Sequence, residues 1–294
     1  MVTIAARGGL VSSHHRYSNE RCGRELRKNV TLIVGIAALL SVRVTHAQLA
    51  EPYSLPRPAN CCLLNTATTL AEQLQDWNQL GRYHEANQEL MKRPVEPGRV
   101  VFMGDSITDG YRLDEAFPGK PYVNRGISGQ TTAQMLVRFY PDVLALKPAA
   151  VIVLAGTNDI ARNNGPQTLE MIQQNIMAMT ELAQGHGVKV ILCALLPISD
   201  RTIIPAGGRG GGPTPQPRIQ SVQRPPADLL KFNAWLKSYA AEKGAVYADY
   251  YAATVDEQGV LREGYTGDGL HPNAQGYALM TPVASAAIAE ALKR

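Results

Sequence analysis

The chain has 294 residues, enough for one large domain or two small ones, and its 45% hydrophobic and 18% charged residues exclude the disordered and collagen-like classes. The formal charge of +4 is concentrated in residues 1–47, where seven Lys/Arg accompany two Asp/Glu. The other 22 basic and 23 acidic residues leave a body at −1, with no basic stripe to track a nucleic acid.

The basic start explains itself: "RELRKNV" runs into the apolar "TLIVGIAALLSV" and leaves through "RVTHAQLA". A charged n-region, an apolar run and a small-residue exit predict a secretory signal peptide over residues 1–47, with Ala47 the last residue removed and Thr45 at the −3 position. The run falls short of the roughly 20 residues of a membrane span, so the mature protein is expected in the periplasm or outside the cell with no stable span. An uncleaved anchor and a misassigned start codon are the alternatives, because the n-region is long. Cys22 precedes the apolar run, and Pro58-Ala59-Asn60 before Cys61 is no lipid-attachment motif. Loss of the leader leaves Cys61, Cys62 and Cys193, an odd number without a histidine at metal-ligand spacing; Cys193, in "KVILCALLP", reads as a core residue.

Residues 48–97 are expected to form a linker and a helical extension. "EPYSLPRPAN" is Pro-rich; after it Leu63, Ala67, Leu70, Leu74, Trp77 and Leu80 recur at helical spacing until Gly81 breaks or kinks the pattern. This stripe is expected to pack on the following domain and to carry no chemistry. His84 reads as a surface or interface residue.

From Arg99 onward, short apolar runs alternate with longer amphipathic ones. "RVVFMG", "YVNRGI", "AAVIVLAG", "VKVILCALLP" and "AVYADYY" predict five strands, with helices near 131–145, 166–185, 227–243 and 275–293. A continuous run such as Ala150–Ala155 suits a strand buried on both faces, hence a parallel sheet between helices. Right-handed crossovers then bring the loops after all strands to one edge. Residues 199–226, "SDRTIIPAGGRGGGPTPQPRIQSVQRPP" from Ser199 to Pro226, break the rhythm and are too long for an ordinary connection. "GGRGGG" lacks the Gly-Lys-Ser/Thr ending of a phosphate loop. The segment follows the fourth strand and so leaves on the shared edge; it is expected to build no core, acting as a lid or as a solvated spacer.

The polar residues at that edge form a set. Ser106 follows the first strand in "GDSIT". The turn "NRGISGQTT", with Gly126 and Gly129, follows the second. Asn158 and Asp159 follow the third in "GTNDI", and Asp268 and His271 follow the last in "GDGLHPN". Acyl transfer needs these parts. A serine hydroxyl requires a base within reach, and of the two histidines after Ser106, His186 precedes the fourth strand on the far edge, leaving His271. The Asp268-x-x-His271 spacing lets one turn bring carboxylate and imidazole together, which orients the ring and stabilises its charged form. Candidate oxyanion donors are the Ser106 N–H, the Gly129 N–H and the Asn158 side-chain amide. The competing readings are a plain turn for Gly-Asp-Ser, a surface turn with a helix cap for "GDGLHPN", and a helix cap for "GTND". Asp159 is assigned to that capping role, and Asp105 and Asp109 to turn and helix-start hydrogen bonds.

"GDSIT", "ISGQT", "GTND" and "DGLHPN", in this order across residues 99–294, resemble the four signature blocks of the SGNH-hydrolase superfamily, the GDSL-type esterases and lipases. The resemblance implies a flavodoxin-like three-layer α/β/α sandwich with a five-stranded parallel sheet over residues 98–294. It also implies Ser106 as nucleophile, His271 as base, Asp268 as its orienter, and Gly129 and Asn158 completing the oxyanion hole with the Ser106 N–H. Ile107 stands where many relatives have leucine and Gln130 where many have aspartate, neither touching the catalytic set. The Gly-x-Ser-x-Gly elbow of α/β-hydrolases is absent around Ser106 and Ser128.

The expected function is an exported serine esterase that removes a small acyl group, acetyl or short-chain, from a small-molecule, carbohydrate or lipid ester through an acyl-enzyme, without metal or cofactor. The alternatives are an acyltransferase that hands the acyl group to a sugar hydroxyl and a catalytically silent carbohydrate-binding domain. The intact set Ser106, Asp268 and His271 argues against the last.

Overall fold

The computed structural model describes residues 70–71, 74–204 and 214–294; the expected leader, the Pro-rich linker, Leu63, Ala67, Cys22, Cys61 and Cys62 lie outside the described residues. The five apolar runs form β1 (Val100–Gly104), β2 (Tyr122–Gly126), β3 (Ala150–Leu154), β4 (Lys189–Cys193) and β5 (Val246–Ala248). All pair in parallel, in the order β2-β1-β3-β4-β5, with Val100 opposite both Tyr122 and Ala150. β1 and β3 are buried along their whole length, as strands covered on both faces must be, while the edge strand β2 is only partly buried.

Among the described residues, five helices of eight or more residues accompany the sheet: α1 (His84–Met91), α2 (Thr132–Asp142), α3 (Leu169–Gly185), α4 (Pro226–Glu242) and α5 (Ala274–Ala291). Each of the last four begins with a local device. Thr131 and Gln134 form a capping box, the Thr168 hydroxyl accepts from Met171 N–H, Pro226 opens α4, and Asn273 accepts from Gln275 and Gly276 N–H. α2 packs on α3 and α3 on α4, while α5 lies against β3, β4 and β5 on the opposite face, which gives the three-layer α/β/α sandwich. Cys193 is buried and free, as a core residue.

The extension before β1 departs from its apolar stripe. Leu74 is 79% and Trp77 51% exposed, and Leu70 and Leu80 are exposed as well. The helical residues stop at Gln75, and a turn over Asp76–Asn78 leads to Gln79, held left-handed at φ 56°, before Gly81 is reached; Asp76 accepts the Leu80 and Gly81 N–H groups beyond it. Polar bonds attach the segment instead. Asn87, buried on α1, donates to Asp142 Oδ1 (2.6 Å) and accepts from Arg125 Nε (2.9 Å), and the Tyr83 hydroxyl donates to Gly126 O. Gln130 Nε2 donates to Asn78 O (3.0 Å) and Gln134 Nε2 to Trp77 O. The edge of the sheet here presents polar groups, so an apolar stripe has nothing to pack on. His84 is exposed, as expected.

Beneath the ends of β1 and β2 lies Arg138, fully buried on α2. Its guanidinium donates to Asp142 Oδ2 (3.0 Å), Arg125 O (2.8 Å), Gly104 O (3.1 Å) and the Gln130 side chain. An apolar side chain of similar length leaves Asp142 and two strand-end carbonyls without these donors. Arg138→Met is expected to destabilise the protein by about 3–5 kcal/mol, read by urea denaturation. Near-parental stability would show that the network is dispensable.

Candidate active site

The change from apolar to polar at Gly104-Asp105-Ser106 has a steric cause. A Cβ on Gly104 would lie 2.1 Å from Thr108 Oγ1 and 2.7 Å from Leu154 O, so only glycine lets β1 turn there beside β3. Asp105 caps the following helical turn, Ser106–Asp109, by accepting from Ile107 N–H (3.0 Å), and Ser106 is its half-buried first residue.

Across the edge, the loop after β5 brings His271 to the serine. Ser106 Oγ lies 2.8 Å from His271 Nε2, and His271 Nδ1 lies 2.7 Å from Asp268 Oδ2. A carboxylate can only accept, so Nδ1 carries the proton and Nε2 is left to accept from the serine hydroxyl. Asp268 Oδ1 accepts in addition from the N–H groups of His271 (2.8 Å) and Leu270 (3.0 Å). Burial works to raise the Asp268 carboxyl, but the hydrogen bonds from the His271 ring and from these two backbone groups outweigh it and hold the group below its ordinary range. The loop owes its shape to Thr266, whose hydroxyl donates to His271 O (2.8 Å) and accepts from Gly269 N–H (3.0 Å). It also needs Gly269 at φ +80°, where a Cβ would lie 2.0 Å from Ser199 O.

The glycine-rich turn after β2 is tied from several directions. Asp109 accepts from the Ser128 hydroxyl (2.7 Å), linking the Ser106 turn to the residue before Gly129. Asn163 Nδ2 donates to Gly129 O (3.2 Å), and Asn158 Nδ2 to Gln130 O (3.0 Å). Asp159 caps the start of α2, accepting from Thr132 N–H at 3.0 Å, rather than its own turn Thr157–Ile160. Asp109 likewise binds the glycine-rich turn rather than a helix start. Gln130 does touch the candidate set, but through its backbone carbonyl, which any residue supplies. Gly129 sits at φ +83°. Its N–H and that of Ser106 have no acceptor among the described residues, and Asn158 keeps one amide hydrogen in the same state.

The Gly/Pro-rich segment leaves β4 on the shared edge, where a segment after the fourth strand was expected, and three of its polar residues pack there. Its middle, residues 205–213, is outside the described residues, but Ser199, Gln220 and Arg224 are buried. Ser199 N–H donates to Gly269 O (2.8 Å), Gln220 Nε2 to Asp268 O (2.9 Å), and Arg224 Nη2 to Asn158 Oδ1 (3.3 Å). No periodicity marks these residues; polar groups of an irregular segment show their partners only in three dimensions.

Two clefts flank the set. A largely apolar one of about 660 Å³ is lined by Tyr111, Ala116, Pro272, Tyr277 and Pro282, starting at the residue after His271. A smaller, more polar one of about 240 Å³ lies between Trp77, Gln79, Gly129, Gln134 and Asn164. Among the described residues no three His, Cys, Asp or Glu side chains are grouped to hold a metal ion. His186 ends α3 and is exposed, away from the set.

Asp105, fully buried at this edge, carries a disfavoured charge. Burial pushes its carboxyl up to about 6, moderated by the Ile107 N–H and by the charges of His271 and Arg224, while Asp159 opposes them. Because the folded carboxyl is raised above an unfolded value of about 4, its ionisation destabilises the fold as pH rises from 4 through 6. Asparagine keeps the cap without the charge. Asp105→Asn is expected to gain stability relative to the parent between pH 4 and pH 7, by on the order of 3 kcal/mol at most. Chemical denaturation at both pH values checks it, and a pH-independent difference would show an ordinary carboxyl.

Residues 102–279 match the GDSL-like lipase/acylhydrolase family. The structure superposes on a GDSL-like lipase of Bacteroides thetaiotaomicron with a TM-score of 0.64 and 34% identity, covering 74% of this chain and all of that one (100%). An esterase of Pseudomonas aeruginosa, TesA, is 34% identical over 120 residues, covering 36% of this chain and 58% of its own. An acetylxylan esterase of Geobacillus stearothermophilus is 34% identical over 89 residues, covering 22% of this chain and 41% of its own, so both matches span less than two thirds of the relative. With the parallel five-stranded sheet and four signature blocks at one edge of it, the chain belongs to the GDSL-like lipase/acylhydrolase family of the SGNH-hydrolase superfamily.

Proposed function

We propose that this family member is an exported serine esterase that removes a small acyl group, acetyl or short-chain, from a carbohydrate or lipid ester. The observation that carries the reading is the unbroken chain from Ser106 Oγ through His271 to Asp268, at 2.8 and 2.7 Å. In the first half-reaction Ser106 Oγ attacks the ester carbonyl carbon and its proton passes to His271 Nε2, while the Asp268 carboxylate stabilises the imidazolium. The oxyanion accepts from the N–H groups of Ser106 and Gly129 and from the spare Asn158 amide hydrogen. Collapse breaks the C–O bond, and the leaving alcohol takes the proton from His271. In the second, water attacks the acyl-serine with His271 as base, releasing the acid and restoring the serine. No step needs a metal or cofactor.

Residues 1–47 are read as the leader, 48–97 as linker and extension, and 98–294 as the hydrolase domain carrying the 199–226 insertion. Export rests on the basic and apolar pattern of the leader. Among the described residues no helix is long and apolar enough to cross a membrane, and the near-neutral body speaks against a nucleic-acid partner. The polar cleft at Gly129, with the half-exposed Trp77 indole on its wall, supports a hydroxyl-rich alcohol. So does the similarity to an acetylxylan esterase. The apolar cleft beside Pro272 accommodates a lipid-like group.

Ser106→Ala is expected to leave the protein folded and to reduce hydrolysis of a chromogenic acetate ester by up to about a millionfold. A serine-directed phosphonate should label Ser106 alone. Labelling of Ser128, or retention of more than about a thousandth of the rate, would overturn the assignment.

Asn158→Ala is expected to lower kcat about a hundred- to a thousandfold with little change in KM, because its amide acts once charge develops on oxygen. Steady-state kinetics on the same ester decide this. An effect confined to KM would place Asn158 in ground-state binding.

A further inference from the structure

Three bonds form one line behind the candidate site. Gln220 Nε2 donates to Asp268 O (2.9 Å), Arg224 Nη1 donates to Gln220 Oε1 (3.2 Å), and Arg224 Nη2 donates to Asn158 Oδ1 (3.3 Å). The line joins the loop that carries His271 to the side chain that offers an oxyanion donor, and both linking residues come from the insertion. They are held in turn: Asp200 accepts from the N–H groups of Gln220 and Ser221 and from the Ser221 hydroxyl.

A primary amide can rotate by half a turn, exchanging its carbonyl and amino ends. Asn158 is buried, and Gln130 O on one side attracts its amino group. On the other side the Arg224 guanidinium, 6% exposed, can meet only a carbonyl oxygen. The flipped amide would set amino group against guanidinium and carbonyl against carbonyl. Arg224 thereby fixes which Asn158 atom faces the reacting ester, and its charge polarises the amide so that the spare N–H becomes a stronger donor. Burial works against the guanidinium charge and the Asp105 carboxylate supports it. Both Arg224 Nε and Asp105 Oδ2 are buried without a hydrogen-bond partner among the described residues, so neither side chain is placed there to complete a closed ion pair.

We propose that Arg224, supplied by the Gly/Pro-rich insertion, is a positioning residue for ester hydrolysis: it orients the Asn158 amide toward the oxyanion and couples it, through Gln220, to the Asp268–His271 loop. The proposal rests on the esterase reading above and on Asn158 as an oxyanion donor.

The test is a double-mutant cycle with a chromogenic acetate ester, using Arg224→Met and Asn158→Ala singly and together. Arg224→Met is expected to lower kcat about ten- to a hundredfold, a fraction of the loss from removing an oxyanion donor outright, with KM little changed. In the Asn158→Ala background the same substitution should cost nearly nothing, since no amide remains to orient. An alkylboronic acid, which forms a tetrahedral adduct on Ser106 Oγ, should lose affinity for Arg224→Met by the same factor as kcat/KM. Parental kcat in Arg224→Met, or losses that multiply in the double variant, would overturn the proposal. If Arg224→Met does not fold, Arg224→Lys, which keeps the charge and a donor, should show a smaller loss that again vanishes in the Asn158→Ala background; a loss that persists there counts against it. Full activity in Asn158→Ala alone would refute the oxyanion reading, and full activity in Ser106→Ala the esterase reading. A low rate in both with a parental rate in Arg224→Met refutes only the role of Arg224.

Discussion

Parallel pairing of all five strands is the constraint on which the rest of the molecule depends. It sends every strand's carboxyl end to one edge, so the segments after β1, β2, β3, β4 and β5 emerge together although up to 165 residues separate them, as between Ser106 and His271. The strand order β2-β1-β3-β4-β5 reverses direction between β1 and β3, and at such a switch point the flanking connections diverge to opposite faces and leave a crevice. Ser106 follows β1 and Asn158 follows β3. The two therefore border that crevice, with the loops of β2 and β5 closing in from either side.

Segments placed this way must still be held, and short loops bury too little apolar surface to hold themselves. Here carboxylates and amides do it through backbone N–H groups and carbonyls. Asp109 binds Ser128, Asp159 binds Thr132, Asn158 binds Gln130 O, and Asp268 collects two N–H groups of its own turn. Each bond is worth about 1 kcal/mol when formed and costs more when one buried partner is lost. Such a network holds the loops rigidly only as a whole. A layer below, Arg138 acts in the same way, tying the ends of β1 and β2 to α2.

The extension and the insertion use this chemistry as well. Gln130 and Gln134 bind the segment before α1, and Ser199, Gln220 and Arg224 bind the His271 loop and Asn158. Both segments lie outside the signature blocks, yet both press on residues of the edge. A helical apolar stripe at Leu70, Leu74, Trp77 and Leu80 was a misleading guide because the surface it would meet is polar, and the left-handed Gln79 interrupts it first.

Much was nonetheless determined by the sequence alone. Uninterrupted Val/Ile/Leu runs of five or six residues suit strands buried on both faces, and their alternation with amphipathic stretches points to a parallel sheet between helices. The residue types after the strands then offer the parts: a serine after the first, a histidine with an aspartate three residues before it after the last, and glycine and asparagine as candidate donors between them. Those readings need only local periodicity and residue chemistry, both written along the chain. Tertiary structure alone decided that Asp159 serves α2, that Asn87 and Arg138 anchor the extension and the strand ends, and that Arg224 reaches Asn158 from 66 residues away. A buried polar group has no periodic signature, because its place follows from which donors and acceptors lack partners once the segments have packed.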